Sequence, residues 1–323
     1  MKKVFVTGAN GLLGTNLINE LLFKGYLVKG LLRDKTKYQG PANENLELTE
    51  GNLTDNLTSV LKDCDCVVHV AAVTSQSLLK YSDYIETNYD ATVHLFNLAV
   101  QCNIKKFIFV SSVNTIGHGS RINPGLETDE ISAPFDSSFY AMSKLEAENY
   151  LLQNNQKTEV IIANPSFMLG GYDSKPSSGK IILMFWKKRI QFYPSGGKNF
   201  VHVVDVADGI ISSIERGVNG EKYILANENL SYRDFFEKLN SQTKRNPIMI
   251  RIPGFVLTPF GYLGDILRFF RVKTSLSSVN TKILCINNFY SNLKSVSELN
   301  INYHTTDKAI KDAINYFSKK TKT

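Results

Sequence analysis

The chain has 323 residues, 43% of them hydrophobic and 21% charged, with a mean hydropathy just below zero. That length suits two domains, or one large α/β domain with an appendage, and no window holds the roughly 18 uninterrupted apolar residues of a membrane span. The formal net charge of +7 does not read as a nucleic-acid surface, because the basic residues are scattered. Small clusters at Lys187-Lys188-Arg189 and in the Lys319-Lys320-Thr321-Lys322 tail lack aromatic interleaving or a binding motif, so they read as solvated surface and a frayed end. Val4–Val6 is too short for a signal segment, which leaves the cytoplasm as the expected compartment. Cys64, Cys66, Cys102 and Cys285 form no Cys-x-x-Cys or Cys/His set, so free thiols and no metal are expected.

In chain order, the β-branched run Lys3–Thr7 enters Gly8-Ala9-Asn10-Gly11-Leu12-Leu13-Gly14. An apolar stripe then leaves through Leu17, Leu21 and Leu22 at helical spacing. Strand, tight turn and open helix N-terminus form a phosphate-binding arrangement. Gly8 makes the turn, Gly11 lets a pyrophosphate approach the backbone, and Gly14 lets the helix pack close.

Further strands are expected at Tyr26–Leu32, Leu46–Glu50, Cys66–Ala71, Lys106–Ser111 and Glu159–Ala163. Helices are expected at Leu12–Phe23, Asp83–Gln101 and Ser138–Asn154. Nearly continuous apolar strands alternating with helices predict α/β class, a doubly wound parallel sheet of Rossmann type. Residues 1–165 would form the dinucleotide-binding domain and 166–323 mainly a smaller, irregular substrate region, with 198–226 returning to the first. In that second part a loop is expected at 170–179, a helix at Lys180–Lys188, strand-like Phe192-Tyr193 and a turn at 194–197. Phe200–Val203 and Tyr223–Ala226 read as strands around a helix at Val204–Glu215. From Ser231 onward the chain reads as helical, broken by Pro247, Pro253, Pro259 and Gly264. The apolar, aromatic stretch Pro253–Val272 reads as a lid or packed helix rather than a membrane or partner contact.

The end of the second strand sets the expected cofactor. An acid there would bond the ribose hydroxyl of NAD, whereas Arg33, with Lys37 close behind, suits the extra phosphate of NADP. NADP is therefore expected, with NAD the alternative if Asp34 takes the position instead. Asn52-Leu53 after the third strand either edges the adenine or caps a helix. Ala71 and Ala72 leave room for the middle of a cofactor, and His69 reads as a core histidine. Ser111 and Ser112 end the fifth strand, where open α/β sheets bind ligands. Tyr140 and Lys144, four apart, share one helix face. A lysine ammonium beside a tyrosine, together with a positive nicotinamide, would favour the phenolate and lower its pKa from near 10.

Thr7-Gly8-x-x-Gly11-x-x-Gly14, Ser111-Ser112 and Tyr140-x-x-x-Lys144 together resemble the extended short-chain dehydrogenase/reductase family. Asn164–Gly170 and Lys198–Ala207 extend the resemblance over nearly the whole chain, and Arg33, the Asn-Pro-Ser run and Lys175–Gly179 look closest to its dihydroflavonol-4-reductase-like and bacterial epimerase-like members. The resemblance implies Tyr140 as general acid/base, Lys144 as its pKa modifier and ribose ligand, and Ser112 as hydrogen-bond partner of the reacting oxygen. It implies Gly8, Asn10, Gly11, Leu12 and Leu13 at the pyrophosphate, and Arg33 and Lys37 at the 2′-phosphate. Asn52 and Leu53 would meet the adenine, Ala71, Ala72 and Ser111 the cofactor's middle, and Pro165 and Met168 the nicotinamide. Helices Asp83–Gln101 and Ser138–Asn154 look like those that pair in family homodimers.

Val113-Asn114 replaces the acid pair of sugar-nucleotide dehydratases, which discounts that chemistry. Lys198 stands where epimerases often have arginine, and Asn164 where many relatives have it. The expected activity is NADP(H)-dependent hydride transfer to a small-molecule carbonyl or from a secondary alcohol. The alternatives are a nucleotide-sugar epimerase that retains NAD and a non-catalytic NADP sensor.

Overall fold

The computed structural model describes residues 2–320, so the basic tail is described only as far as Lys320. The strands are β1 (Lys3–Thr7), β2 (Leu27–Leu32), β3 (Leu46–Glu50), β4 (Cys66–His69), β5 (Lys106–Val110) and β6 (Glu159–Pro165). They continue as β7 (Phe167–Leu169), β8 (Ile190–Pro194), β9 (Gly197–His202), β10 (Lys222–Leu225), β11 (Glu228–Ser231), β12 (Ile248–Ile252) and β13 (Asn287–Asn288). The helices are α1 (Leu12–Phe23), α2 (Thr58–Leu61), α3 (Ser82–Ile85), α4 (Ala91–Gln101), α5 (Phe139–Gln153) and α6 (Lys180–Phe185). After them come α7 (Val203–Arg216), α8 (Tyr232–Thr243), α9 (Gly254–Phe269), α10 (Ser278–Cys285), α11 (Leu293–Leu299) and α12 (Thr306–Lys320).

Seven strands form one sheet in the order β10-β6-β5-β4-β1-β2-β3, every pair parallel. This is the expected doubly wound Rossmann arrangement. Strand order reverses between β1 and β4, and such a switch point opens a crevice at the strands' C-terminal ends. One face of the sheet packs Val4, Val6, Ile108 and Ile161 against Leu17 and Leu21 of α1 and Val206 and Ile210 of α7. The other face packs Phe5, Val67, Phe107 and Ile162 against Leu95 and Phe96 of α4 and Ala147 and Leu151 of α5. A third core joins Leu169, Phe200, Phe235, Ile310 and Phe317 around α8 and α12.

β1 and α1 fall where the residue pattern predicts them. β4 stops at His69 rather than Ala71, because the N–H groups of Val70 and Ala71 donate to Thr7 Oγ1, both at 3.1 Å, instead of to a ladder. The expected helix at Asp83–Gln101 is α3 and α4 joined by a π turn at Glu86–Asp90. That turn aims buried Asn88 at the Val73 backbone and at Ser143 Oγ. α6 ends at Phe185, earlier than Lys188.

The largest departure lies beyond Ser231, where the chain is not helical throughout. β12 pairs in parallel with β8, Ile248 opposite Ile190 and Phe192 opposite Ile250. Pro259 and Gly264 do not break α9 but lie inside it. Pro259 is exposed, so solvent serves the carbonyl it leaves without a donor. Gly264 is buried where α9 meets the segment leading into α10, and a Cβ there would stand 2.3 Å from the Leu276 carbonyl oxygen.

Candidate functional site

Gly8 has φ +70°, and a Cβ on it would lie 3.0 Å from both Cα and N of Ala71. A Cβ on Gly14 would meet the Gly8 carbonyl oxygen at 2.1 Å, so α1 can start this close to β1 only with glycine there. Gly11 caps α1 without a side chain, and no acid occupies the first turn. The first-turn N–H groups, those of Leu12 and Leu13 among them, are thus left for an external anion. Thr15 Oγ1 donates to the Ala9 carbonyl at 3.0 Å and the Gly11 N–H to the Gly8 carbonyl at 3.0 Å, which hold Asn10 at the tip of the turn.

Thr7 ties this turn to the far side of the crevice. Besides the two N–H groups that open the 70–72 segment, its Oγ1 meets His69 Nδ1 at 2.8 Å, and His69 Nε2 meets Thr92 Oγ1 at 2.9 Å. Burial holds His69 down to about 3, so it is a satisfied neutral core histidine, as its apolar neighbours suggest. Ala71 and Ala72 follow, half-buried beside Gly8.

At the outer end of β2, Arg33 is exposed. Asp34 turns away from it: its carboxylate accepts from the Thr36 N–H at 3.1 Å and pairs with Lys37 at 2.5 Å. Those partners hold the Asp34 carboxyl down to about 2. Lys37 is therefore committed to Asp34, whereas Arg33 has no ion-pair partner among the described residues. Asn52 is exposed, and its N–H donates to Asp55 Oδ2 at 2.7 Å. Leu53 packs onto the second core face.

β5 delivers the two serines. The Ser111 N–H donates to the Ala163 carbonyl at 2.8 Å, and its Oγ is buried without a partner among the described residues. Ser112 caps a short 3-10 turn, its Oγ accepting from the Asn114 N–H at 3.2 Å. Its hydroxyl lies near enough to Tyr140 to draw the phenol's pKa down. Ser138 caps α5, which carries Tyr140 and Lys144 inward, 9% and 1% exposed.

Tyr140 and Lys144 share a face, and Lys144 is anchored at the end of β5. Its Nζ donates to the Val110 carbonyl at 2.8 Å and lies 4.3 Å from the centre of the Phe109 ring. Burial pushes Tyr140 up to about 12; the Ser112 hydroxyl pulls it down and the Glu148 carboxylate pushes it further up. Burial pulls Lys144 down to about 7, against the attraction of Glu148. The expected lowering of Tyr140 is thus outweighed by desolvation among the protein's own groups.

Two residues that no motif singles out support this centre. Glu148, fully buried, accepts from Thr115 Oγ1 at 2.7 Å, Asn164 Nδ2 at 2.8 Å and Lys222 Nζ at 2.6 Å. Asn164 also donates to the Ser112 carbonyl at 3.1 Å, so the network fixes the turn that presents Ser112. Asn88 fixes the start of the 73–75 segment. Pro165 ends β6 and is buried, and Met168 in β7 is half-buried. Lys198 on β9 is half-buried, its Nζ 4.6 Å from the Phe167 ring centre, and burial pulls it down to about 8.

The glycine cradle, the uncapped helix start and the unpartnered Ser111 hydroxyl fit a dinucleotide lying across the switch point. An open hollow of about 640 Å³ beside Gln39, Tyr172 and Tyr316 is lined by none of Ser112, Tyr140 and Lys144. All four cysteines are free thiols, and burial pushes Cys64 to about 11 and Cys66 to about 12, which makes both unreactive.

Residues 4–226 match the NAD dependent epimerase/dehydratase family. The chain is 28% identical over 324 aligned positions to a Synechocystis protein provisionally named dihydroflavonol 4-reductase, covering 97% of this chain and 94% of that one. It is 30% identical to the Dictyostelium discoideum sterol-4-alpha-carboxylate 3-dehydrogenase, decarboxylating, over 73% of this chain and 75% of the other. The solved structure of gox2253 superposes with a TM-score of 0.86 at 29% identity, covering 99% of each chain.

Proposed function

The chain belongs to the NAD-dependent epimerase/dehydratase family, a family of enzymes, and on that premise we propose an NADP(H)-dependent reductase acting on a carbonyl or secondary alcohol. The observation that carries the reading is the placement of buried Tyr140 and Lys144, one helical turn apart on α5, beside Ser112 at the C-terminal end of β5, with Lys144 anchored on the Val110 carbonyl.

When bound, the nicotinamide supplies or accepts the hydride. Leu12 and Leu13 would hold the pyrophosphate on backbone N–H groups, and Gly8, Asn10 and Gly11 would form the turn that lets it approach. Arg33 would take the 2′-phosphate through its planar guanidinium, with Asp34 and Lys37 neutralising one another beside it. Asn52 and Leu53 would border the adenine, Ala71, Ala72 and Ser111 the middle of the dinucleotide, and Pro165 and Met168 the nicotinamide side. In reduction, Tyr140 gives its phenolic proton to the carbonyl oxygen as negative charge develops there, and Ser112 Oγ holds the same oxygen. Lys144 would bind the ribose hydroxyls and, in its charged form, would stabilise the phenolate that remains. Residues 1–165 would carry the cofactor and 166–323 mainly the substrate. A homodimer through α4 and α5, and a cytoplasmic location, complete the reading.

One observation favours a second reading. Lys198 faces Phe167 with no carboxylate partner among the described residues, which suits the anionic part of a nucleotide sugar in an epimerase that retains NAD.

Nucleotide released from purified protein, NADPH and NADH titrations, and a carbonyl panel separate the two. The reductase predicts tighter NADPH than NADH binding, lost selectively by about 10–100-fold in Arg33→Ala, and NADPH consumption with some carbonyl. Retained NAD, with nucleotide-sugar conversion and no net redox change, selects the epimerase.

A further inference from the structure

α9 is apolar beyond what its packing uses. Its inward side presents buried Gly261 and Gly264. A Cβ on Gly261 would stand 2.2 Å from Thr281 Oγ1 of α10, so the two helices touch almost backbone to backbone. The outward side carries Phe255 (79% exposed), Phe260, Leu263, Ile266 and Phe269 (83% exposed). Phe270 adds a further exposed ring just past the helix end. These positions recur at three- to five-residue steps and form one stripe along one side.

Charge does not interrupt that stripe. Arg268 donates to the carbonyls of Gln76, Leu78 and Thr274, and Asp265 accepts from the Ser278 N–H at 3.1 Å. Both charged side chains of the helix are thus spent on neighbouring backbone. The preceding strand pair continues the apolar surface, with Ile190 opposite Ile248 and Phe192 opposite Ile250, all four exposed.

Charge also selects what can cover this face. Between Lys244 and Lys282 the sequence holds seven lysines and arginines against one acid, Asp265. Arg251 before α9 and Arg271 and Lys273 after it are exposed, and none pairs with a carboxylate among the described residues. A second copy of so basic a surface would add like charge, whereas an anionic surface complements it. No described helix is long and apolar enough to cross a membrane. An aromatic face bordered by cations on a helix of this length fits the plane of a membrane interface.

We propose that the outer face of α9 seats this protein on an anionic lipid bilayer. The phenylalanines enter the headgroup boundary, and Arg251, Arg271 and Lys273 meet lipid phosphates. Docking of this kind does not depend on what the site reduces.

Co-sedimentation of the full chain with phosphatidylcholine vesicles, with and without phosphatidylglycerol, tests the proposal. The chain pellets with the anionic vesicles about tenfold more than with the zwitterionic ones, and binding weakens as salt rises from about 0.1 M to about 0.5 M. Phe255→Asp with Phe269→Asp abolishes binding. Phe23→Asp, at a position 87% exposed on α1, leaves it intact. Phe269→Trp gives a second readout: its emission shifts to the blue with anionic vesicles and is quenched by brominated acyl chains. Three results overturn the proposal: wild type that stays in solution with both vesicles, a double variant that binds like wild type, or a stripe whose substitution dissolves a dimer while vesicle binding is unchanged.

Discussion

Glu148 offers the sharpest test of how the centre is held. Its carboxylate is wholly buried and accepts from Thr115 and Asn164, and Lys222, its cationic partner, is 22% exposed on its side chain. Glu148→Ala leaves three donors facing a cavity, one of them charged, and a broken buried pair costs about 3–5 kcal/mol. Glu148→Gln keeps the shape and removes the charge, at about 1–3 kcal/mol. Denaturant unfolding monitored by circular dichroism should rank wild type above Gln and Gln above Ala. Because the Glu148 carboxylate pushes Tyr140 up and attracts a proton to Lys144, Glu148→Gln moves both groups down. The basic limb of the turnover profile should therefore shift to lower pH. Variants within about 0.5 kcal/mol of wild type, with an unshifted profile, would refute the network.

Two further substitutions test cradle and lysine. Gly14→Ala drives a Cβ to 2.1 Å from the Gly8 carbonyl oxygen, so nucleotide binding should fall below detection with a stability loss of about 1–3 kcal/mol; calorimetric titration with unchanged affinity would contradict the cradle. Lys144→Met should abolish turnover yet stabilise the nucleotide-free protein. Burial lowers Lys144 from 10.5 to about 7, so below that pH the fold carries the full cost of a buried ammonium. Between about 7 and 10.5 the unfolded chain binds more protons, and wild-type stability climbs as pH rises. The gain from Lys144→Met is thus largest below about pH 7, on the order of a few kcal/mol, and shrinks towards pH 10.5. Thermal melts across that range check the sign, and a variant less stable than wild type at every pH would contradict it.

The parts of the site that announce themselves in sequence are those whose geometry is local. Gly8, Gly11 and Gly14 lie within one turn, and Tyr140 and Lys144 within one helical turn, so spacing alone places them. What spacing does not convey is where a side chain goes once there. Lys144 turns to the Val110 carbonyl, and Asp34 to its own 3-10 turn. Glu148 and Asn88 carry no motif, because their partners stand up to 74 residues away. The early end of β4 has the same origin, since Thr7 captures N–H groups 63 and 64 residues along the chain. β12 was illegible for a related reason: its one partner among the described residues is β8, and a short run behind Pro247 reads as a helix break until that pairing exists.

The central claim, that Tyr140 supplies the proton for hydride transfer, is tested most directly by Tyr140→Phe. With a carbonyl that the wild type reduces, the variant should bind NADPH with unchanged affinity, while single-turnover nicotinamide oxidation slows by about 10²–10⁴-fold. An oxidation rate equal to that of the wild type, at equal NADPH occupancy, would contradict it.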